Sequence, residues 1–166
     1  MRVAAIVAIG AMMGATAAQS ATPRCVPPAE LEALAVVLLP DAVQAVGLKC
    51  ATSLPATATL RSGLTPLVTR WREEAPAAMA GAAAAISRFG SAKISAADAP
   101  AMLTMMRGMM IDEMIDDVSP ATCAKVERAV TLAAPLPARN VAGLFVMAAQ
   151  LGGRSTRGIE LCPEPR

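Results

Sequence analysis

Six methionines fall within thirteen residues near the middle of the chain. In a helix they would form two rows: Met102, Met105 and Met109 on one face, and Met106, Met110 and Met114 at spacings of four on another. Thioether sulfur is a soft ligand that suits Cu(I), so two or three of these side chains could hold copper. Methionine is also a flexible filler of hydrophobic cores and an adaptable surface for a protein partner or an apolar ligand. Core packing is the more ordinary of these roles.

Four carboxylates follow the methionines at the end of the same predicted helix. They form two pairs spaced four residues apart: Asp112 with Asp116, and Glu113 with Asp117. Carboxylates can bind Ca²⁺, but this segment lacks the loop of alternating oxygen ligands that a dedicated calcium site uses. Negative charge is also unfavourable at the carboxyl end of a helix. A solvated acidic edge, or one paired with Arg107, Lys125 or Arg128, is the simpler interpretation.

We predict no cofactor and no dedicated metal site. The chain has no histidine, which weakens a Cu(II) site in particular. If the chain does handle a metal, the ligands that this helix offers are Met106, Met110, Asp112 and Asp116.

The absence of histidine also argues against an enzyme. Histidine is the most frequent general base, and without it neither a Ser-His-Asp nor a Cys-His arrangement can form. A carboxylate-based enzyme remains the weaker alternative, although glycosidase-like sites usually need more aromatic side chains than one Trp and two Phe provide. The scarcity of aromatic residues disfavours nucleic-acid binding as well, since bases stack on such side chains.

Four cysteines, Cys25, Cys50, Cys123 and Cys162, predict two disulfides. Their spacings contain no C-x-x-C, the pattern typical of zinc ribbons and thiol oxidoreductases. A helix of about 20 residues between Cys25 and Cys50 would be roughly 30 Å long, too long for those two to pair. The pairs would then be either Cys25–Cys123 with Cys50–Cys162, or Cys25–Cys162 with Cys50–Cys123. If the chain reverses at Pro40 instead, sequential pairing becomes feasible.

The first 20 residues predict a cleavable signal peptide. A positive start, an apolar run over residues 3–15 and small residues at 15–17 and 18–20 supply its three parts and two cleavage sites. Residues 21–166 would then form one exported domain, located in the periplasm or, alternatively, outside the cell. A formal net charge of +2 gives no strong attraction to nucleic acid or anionic membranes. We also expect no stable membrane insertion of the mature chain.

Prolines, glycines and capping residues divide the mature chain into an all-α domain of about five helices, with four to six as the range. The first would run from Pro28 to about residue 49 and continue, kinked, through Pro40. The others would begin near Thr65–Pro66, Ser95–Pro100, Ser119–Pro120 and Asn140, with Pro76 bending or splitting the second. No segment shows the alternation of a strand.

These observations predict an exported, non-enzymatic helical protein that binds a protein partner or an apolar ligand, with the methionine-rich helix as the contact. A methionine-based copper-handling protein is the alternative.

Overall fold

The computed structural model describes residues 25–89, 95, 97–116, 118–152, 155–156 and 159–163, so the predicted signal peptide lies outside it. The described residues form seven helices and two short strands: α1 (Pro28–Cys50), α2 (Thr59–Ser62), α3 (Leu64–Arg72), α4 (Ala75–Phe89), α5 (Ala99–Asp116), α6 (Pro120–Ala133), α7 (Ala138–Leu151), β1 (Ser155–Thr156) and β2 (Ile159–Glu160). The all-α prediction is confirmed. The tail adds an unpredicted antiparallel pair of two-residue strands.

Helix α1 is the central element, and α3, α4, α5 and α7 all pack against it. It continues through Pro40, as the unbroken phase of its apolar residues predicts. Helix α4 approaches α1 closely at Gly81, where an added Cβ would lie 2.7 Å from the Cβ of Ala33. The alanine- and glycine-rich block of α4 therefore permits close helix packing.

Two buried clusters form the core. One surrounds Trp71, Cys50 and Cys123, and the other joins α1, α4 and α5 through residues such as Leu34 and Leu103. The indole Nε1 of Trp71 donates a 2.9 Å hydrogen bond to the main-chain oxygen of Leu136, which satisfies its one polar group in the core.

The two disulfides are Cys25–Cys162 and Cys50–Cys123. This is one of the two pairings that the unbroken first helix allows. Next to the first disulfide, Val26 and Leu161 form a parallel bridge, and the Val26 N–H donates a 2.8 Å hydrogen bond to the Glu160 oxygen. The tail is thus held against the start of α1 by both covalent and main-chain bonds.

Several helix boundaries differ from those predicted. The predicted second helix is split at Glu73–Glu74 into α3 and α4, and α3 begins at Leu64 rather than at Pro66. Helix α2 lies between the first two predicted helices, where no helix was predicted. Of the predicted start signals, Ser119–Pro120 is confirmed: the Ser119 hydroxyl accepts a hydrogen bond from the Thr122 N–H at the first turn of α6.

Distant carboxylates explain two of these differences. Glu127 accepts hydrogen bonds of 2.7 and 2.9 Å from the N–H groups of Thr59 and Leu60, at the start of α2. Glu74 accepts bonds of 2.8 and 3.2 Å from the N–H groups of Ala138 and Arg139, so α7 begins before Asn140. Each carboxylate supplies the acceptor that a local capping residue usually provides.

Helix α1 is long and apolar enough to cross a membrane by length and composition alone. Its most apolar window is 50% buried by the rest of the fold, and the core helix of a water-exposed domain meets the same criteria.

Candidate functional site

The methionine-rich helix α5 lies at the edge of the fold, with one side against α1 and α4. Ala99, Leu103 and Ile111 are its buried residues. On the same side, the Nε of Arg107 lies 2.9 Å from an oxygen of Asp41 in α1. These contacts fix which faces of α5 remain exposed.

Most of the methionines of α5 are not core residues. Met105 and Met109 are 82% and 69% exposed, and Met102 and Met114 are also exposed. Met106 and Met110 are half-buried, and Met110 packs against the cluster around Leu103. Core packing therefore explains Met106 and Met110 of the second row, but not Met114 or the first row.

The exposed methionines continue into the acidic end of α5 as a single band of side chains. We call this band the α5 stripe, and it consists of Met102, Met105, Met109, Asp112 and Asp116. Successive members are three or four residues apart, so they share one face of the helix. At about 1.5 Å per residue the stripe is roughly 20 Å long. It is apolar at its amino end and negatively charged at its carboxyl end.

The acidic residues of this region are exposed and make no ion pair among the described residues. Asp112, Glu113 and Asp116 are all exposed, whereas Asp117 lies outside the described residues. Arg107, one of their predicted partners, binds Asp41 instead. The predicted solvated acidic edge agrees with this exposure, so the carboxylates of the stripe are free to meet a cation from outside.

The proposed metal ligands of α5 do not share a face. Met106 and Met110 are half-buried on the side toward the core, while Asp112 and Asp116 are exposed on the α5 stripe. No group of three or more Asp, Glu, Cys or His side chains among the described residues is placed to hold a metal ion. Within α5, the exposed thioethers that share one face are those of Met102, Met105 and Met109.

Helix α7 carries a second exposed apolar surface. Its core face is formed by Ala138, Ala142 and Val146. The larger apolar side chains point to solvent, and they are Leu144, Phe145, Met147 and Leu151. Small residues form the face of α7 that packs on α1, so helical periodicity alone does not indicate that the larger apolar side chains face solvent.

Comparison with known proteins finds no match to this chain among family models, curated proteins or solved structures. The α5 stripe and the disulfide-bonded fold that presents it are therefore the features from which function can be inferred.

Proposed function

We propose that this chain is an exported, non-enzymatic protein that binds a protein partner through the α5 stripe. The observation that carries the proposal is the exposure of Met105 and Met109 beside the carboxylates of Asp112 and Asp116, which make no ion pair with the described residues. Two disulfides support export, because such bonds persist mainly in oxidising compartments such as the periplasm.

The partner that fits this surface is an amphipathic helix with an apolar row followed by basic residues. Methionine is enriched at protein interfaces and adapts its shape to different apolar side chains. An apolar row would cover Met102, Met105 and Met109, and lysine or arginine side chains would meet Asp112 and Asp116. The apolar side chains of the partner would be spaced to match the methionines, and the carboxylates would fix the direction in which the partner helix lies.

A synthetic peptide pair tests this proposal directly. One peptide is a helix with a leucine row and lysines at one end, and its matched control carries glutamates in place of the lysines. We expect the lysine peptide to perturb the NMR signals of α5 and to lose at least tenfold in affinity when Met105→Lys and Met109→Lys are combined. Equal binding of both peptides, or binding that these substitutions leave unchanged, would show that the α5 stripe is not the contact.

The natural partner can be sought by site-specific photo-crosslinking in cells. Crosslinkers at positions 105 and 109 should form one shared adduct, and a crosslinker at Leu132, an exposed apolar residue of α6, serves as the control. The adduct should disappear with Asp112→Lys and Asp116→Lys. An adduct that also forms from position 132 would indicate non-specific capture.

Copper handling is the second candidate, favoured by the shared open face of Met102, Met105 and Met109. Anaerobic Cu(I) titration would give one equivalent bound in the native protein and none after Met105→Leu and Met109→Leu. The same leucine substitutions keep the surface apolar, so partner binding through the α5 stripe would survive them. This difference separates the two functions.

A further inference from the structure

A cavity of about 550 Å³ lies between α1, the start of α4 and α5, away from the α5 stripe. Val37 and Pro40 of α1 are its buried lining residues, and Ala75, Pro76 and Met79 of α4 complete the apolar part. Its volume is within the range of small-molecule sites. The apolar lining is aliphatic and thioether in character, with no aromatic side chain, which suits a flexible alkyl group.

Two arginines border the cavity and share one carboxylate. Arg72 Nη2 lies 2.8 Å from one oxygen of Asp41, and Arg107 Nε lies 2.9 Å from the other. Asp41 cancels only one of the two positive charges. Arg72 Nη2 also donates a hydrogen bond to the side-chain oxygen of Gln44. Because Arg72 uses only Nη2 and Arg107 only Nε in these contacts, Arg72 Nε and Nη1 and both terminal nitrogens of Arg107 remain for another acceptor.

We propose that this cavity binds an anionic amphiphile, with a carboxylate headgroup on Arg107 and Arg72 and an alkyl tail against Val37, Pro40 and Met79. Guanidinium groups recognise carboxylates through paired hydrogen bonds, and Asp41 holds the two guanidiniums in place for this purpose. An ion-pair cluster with only a structural role would not require an apolar cavity beside it. The site is separate from the partner surface of the proposed function, so either could fail alone.

Calorimetric titration with decanoate, below the concentration at which it forms micelles, tests the site. Decan-1-ol serves as the probe with a matched tail and no charge, and hexanoate as the probe with a shorter tail. We expect saturable one-to-one binding of decanoate, an affinity gain of about fourfold per methylene between hexanoate and decanoate until the tail fills the cavity, and much weaker binding of decan-1-ol. Non-saturable uptake, or equal binding of the alcohol, would overturn the proposal.

Three variants locate the binding. Arg107→Gln should weaken decanoate binding about tenfold or more, because it removes a charged donor. Met79→Glu should abolish it while leaving both arginines and Asp41 in place, which keeps the test valid if Arg107→Gln disturbs the fold. Arg128→Gln, at an exposed residue of α6, removes the same charge elsewhere and should bind as the native protein does. Unchanged affinity in the first two variants would refute the site.

Discussion

The ammonium group of Lys49 donates a 2.9 Å hydrogen bond to the main-chain oxygen of Asp116, and it also contacts the main-chain oxygen of Ile115. Lys49 lies in the last turn of α1, and Asp116 ends α5. The carboxyl end of α5 carries free carbonyls and several carboxylates, and both make a positive charge favourable there. A lysine from another helix thus offsets the unfavourable charge that the acidic end of α5 would otherwise have.

Replacing Lys49 by methionine should therefore destabilise the end of α5. We expect the free energy of unfolding to fall by about 0.5–1 kcal/mol at low salt, measured by urea denaturation. Because salt screens this interaction, the difference should shrink at high ionic strength. A salt-independent loss would mean that the packing of the lysine stem matters more than its charge.

The capping of α2 by Glu127 should make stability depend on acid pH. Burial raises the pKa of Glu127, but hydrogen bonds from the N–H groups of Leu60 and Thr59 and from the Thr131 hydroxyl outweigh this, so the pKa lies below its ordinary value of 4.5. The stabilisation is fully present above that ordinary value and disappears as the pH falls through the lower folded value. Glu127→Ala should cost about 1–2 kcal/mol at neutral pH and progressively less as the pH falls below 4.5, measured by denaturation across the acid range.

Replacement of two helical glycines by alanine should change the free energy of unfolding in opposite directions. At Gly81 a Cβ would collide with Ala33, so Gly81→Ala should separate α1 from α4 and destabilise the protein by about 1–3 kcal/mol. At Gly108 an added Cβ would meet no described atom within 4 Å apart from the adjoining backbone of α5, so Gly108→Ala should stabilise α5 by about 0.5–1 kcal/mol. Urea denaturation of both variants checks the pair, and a stabilising Gly81→Ala would contradict the close packing of the two helices.

The Cys50–Cys123 disulfide should contribute more to stability than Cys25–Cys162. Their sequence separations, 73 and 137 residues, favour the second by only about 0.6 kcal/mol of chain entropy. Cys50 and Cys123 are buried in the core beside Trp71, however, whereas Cys25 and Cys162 are half-buried. Because the cavity left by the buried pair outweighs this entropy difference, replacing Cys50 and Cys123 by alanine should cost about 1–2 kcal/mol more than replacing Cys25 and Cys162, compared by thermal denaturation.

Limited peroxide oxidation should follow the exposure of the methionines. We expect Met105 and Met109 to form sulfoxides before the half-buried Met79 and Met110, as mapped by peptide mass spectrometry. Oxidation of the exposed pair should leave the melting temperature nearly unchanged but weaken binding of the lysine peptide, since the sulfoxide makes the α5 stripe polar. Simultaneous oxidation of all four would indicate that α5 detaches from the fold.

Local sequence signals were enough to predict the all-α class, α1 and the start of α6. The continuous apolar phase around Pro40 and the Ser119–Pro120 pair are such signals, because each depends on residues within one or two turns. The unbroken α1 also reduced the disulfide pairings to two. Choosing between them required the three-dimensional position of α6, which brings Cys123 to Cys50.

The remaining features depend on residues far apart in the chain. The start of α2 is capped by Glu127 and that of α7 by Glu74, each more than 60 residues away in sequence. The exposed methionines of α5 could not be distinguished from core residues by periodicity, because the helix has apolar side chains on several faces. The shared contact of Arg72 and Arg107 with Asp41 could not be predicted from the sequence, because the three residues lie on three different helices.

The Cys25–Cys162 bond makes residues 25–162 a closed covalent ring. Tension applied to the two ends of the chain would pass through this disulfide and leave the helices between them unloaded. An unfolding motor that threads a chain from one terminus would have to admit two strands at once or wait for reduction. The oxidised protein should therefore resist mechanical extraction even where its helices are only marginally stable, and reduction would remove that resistance.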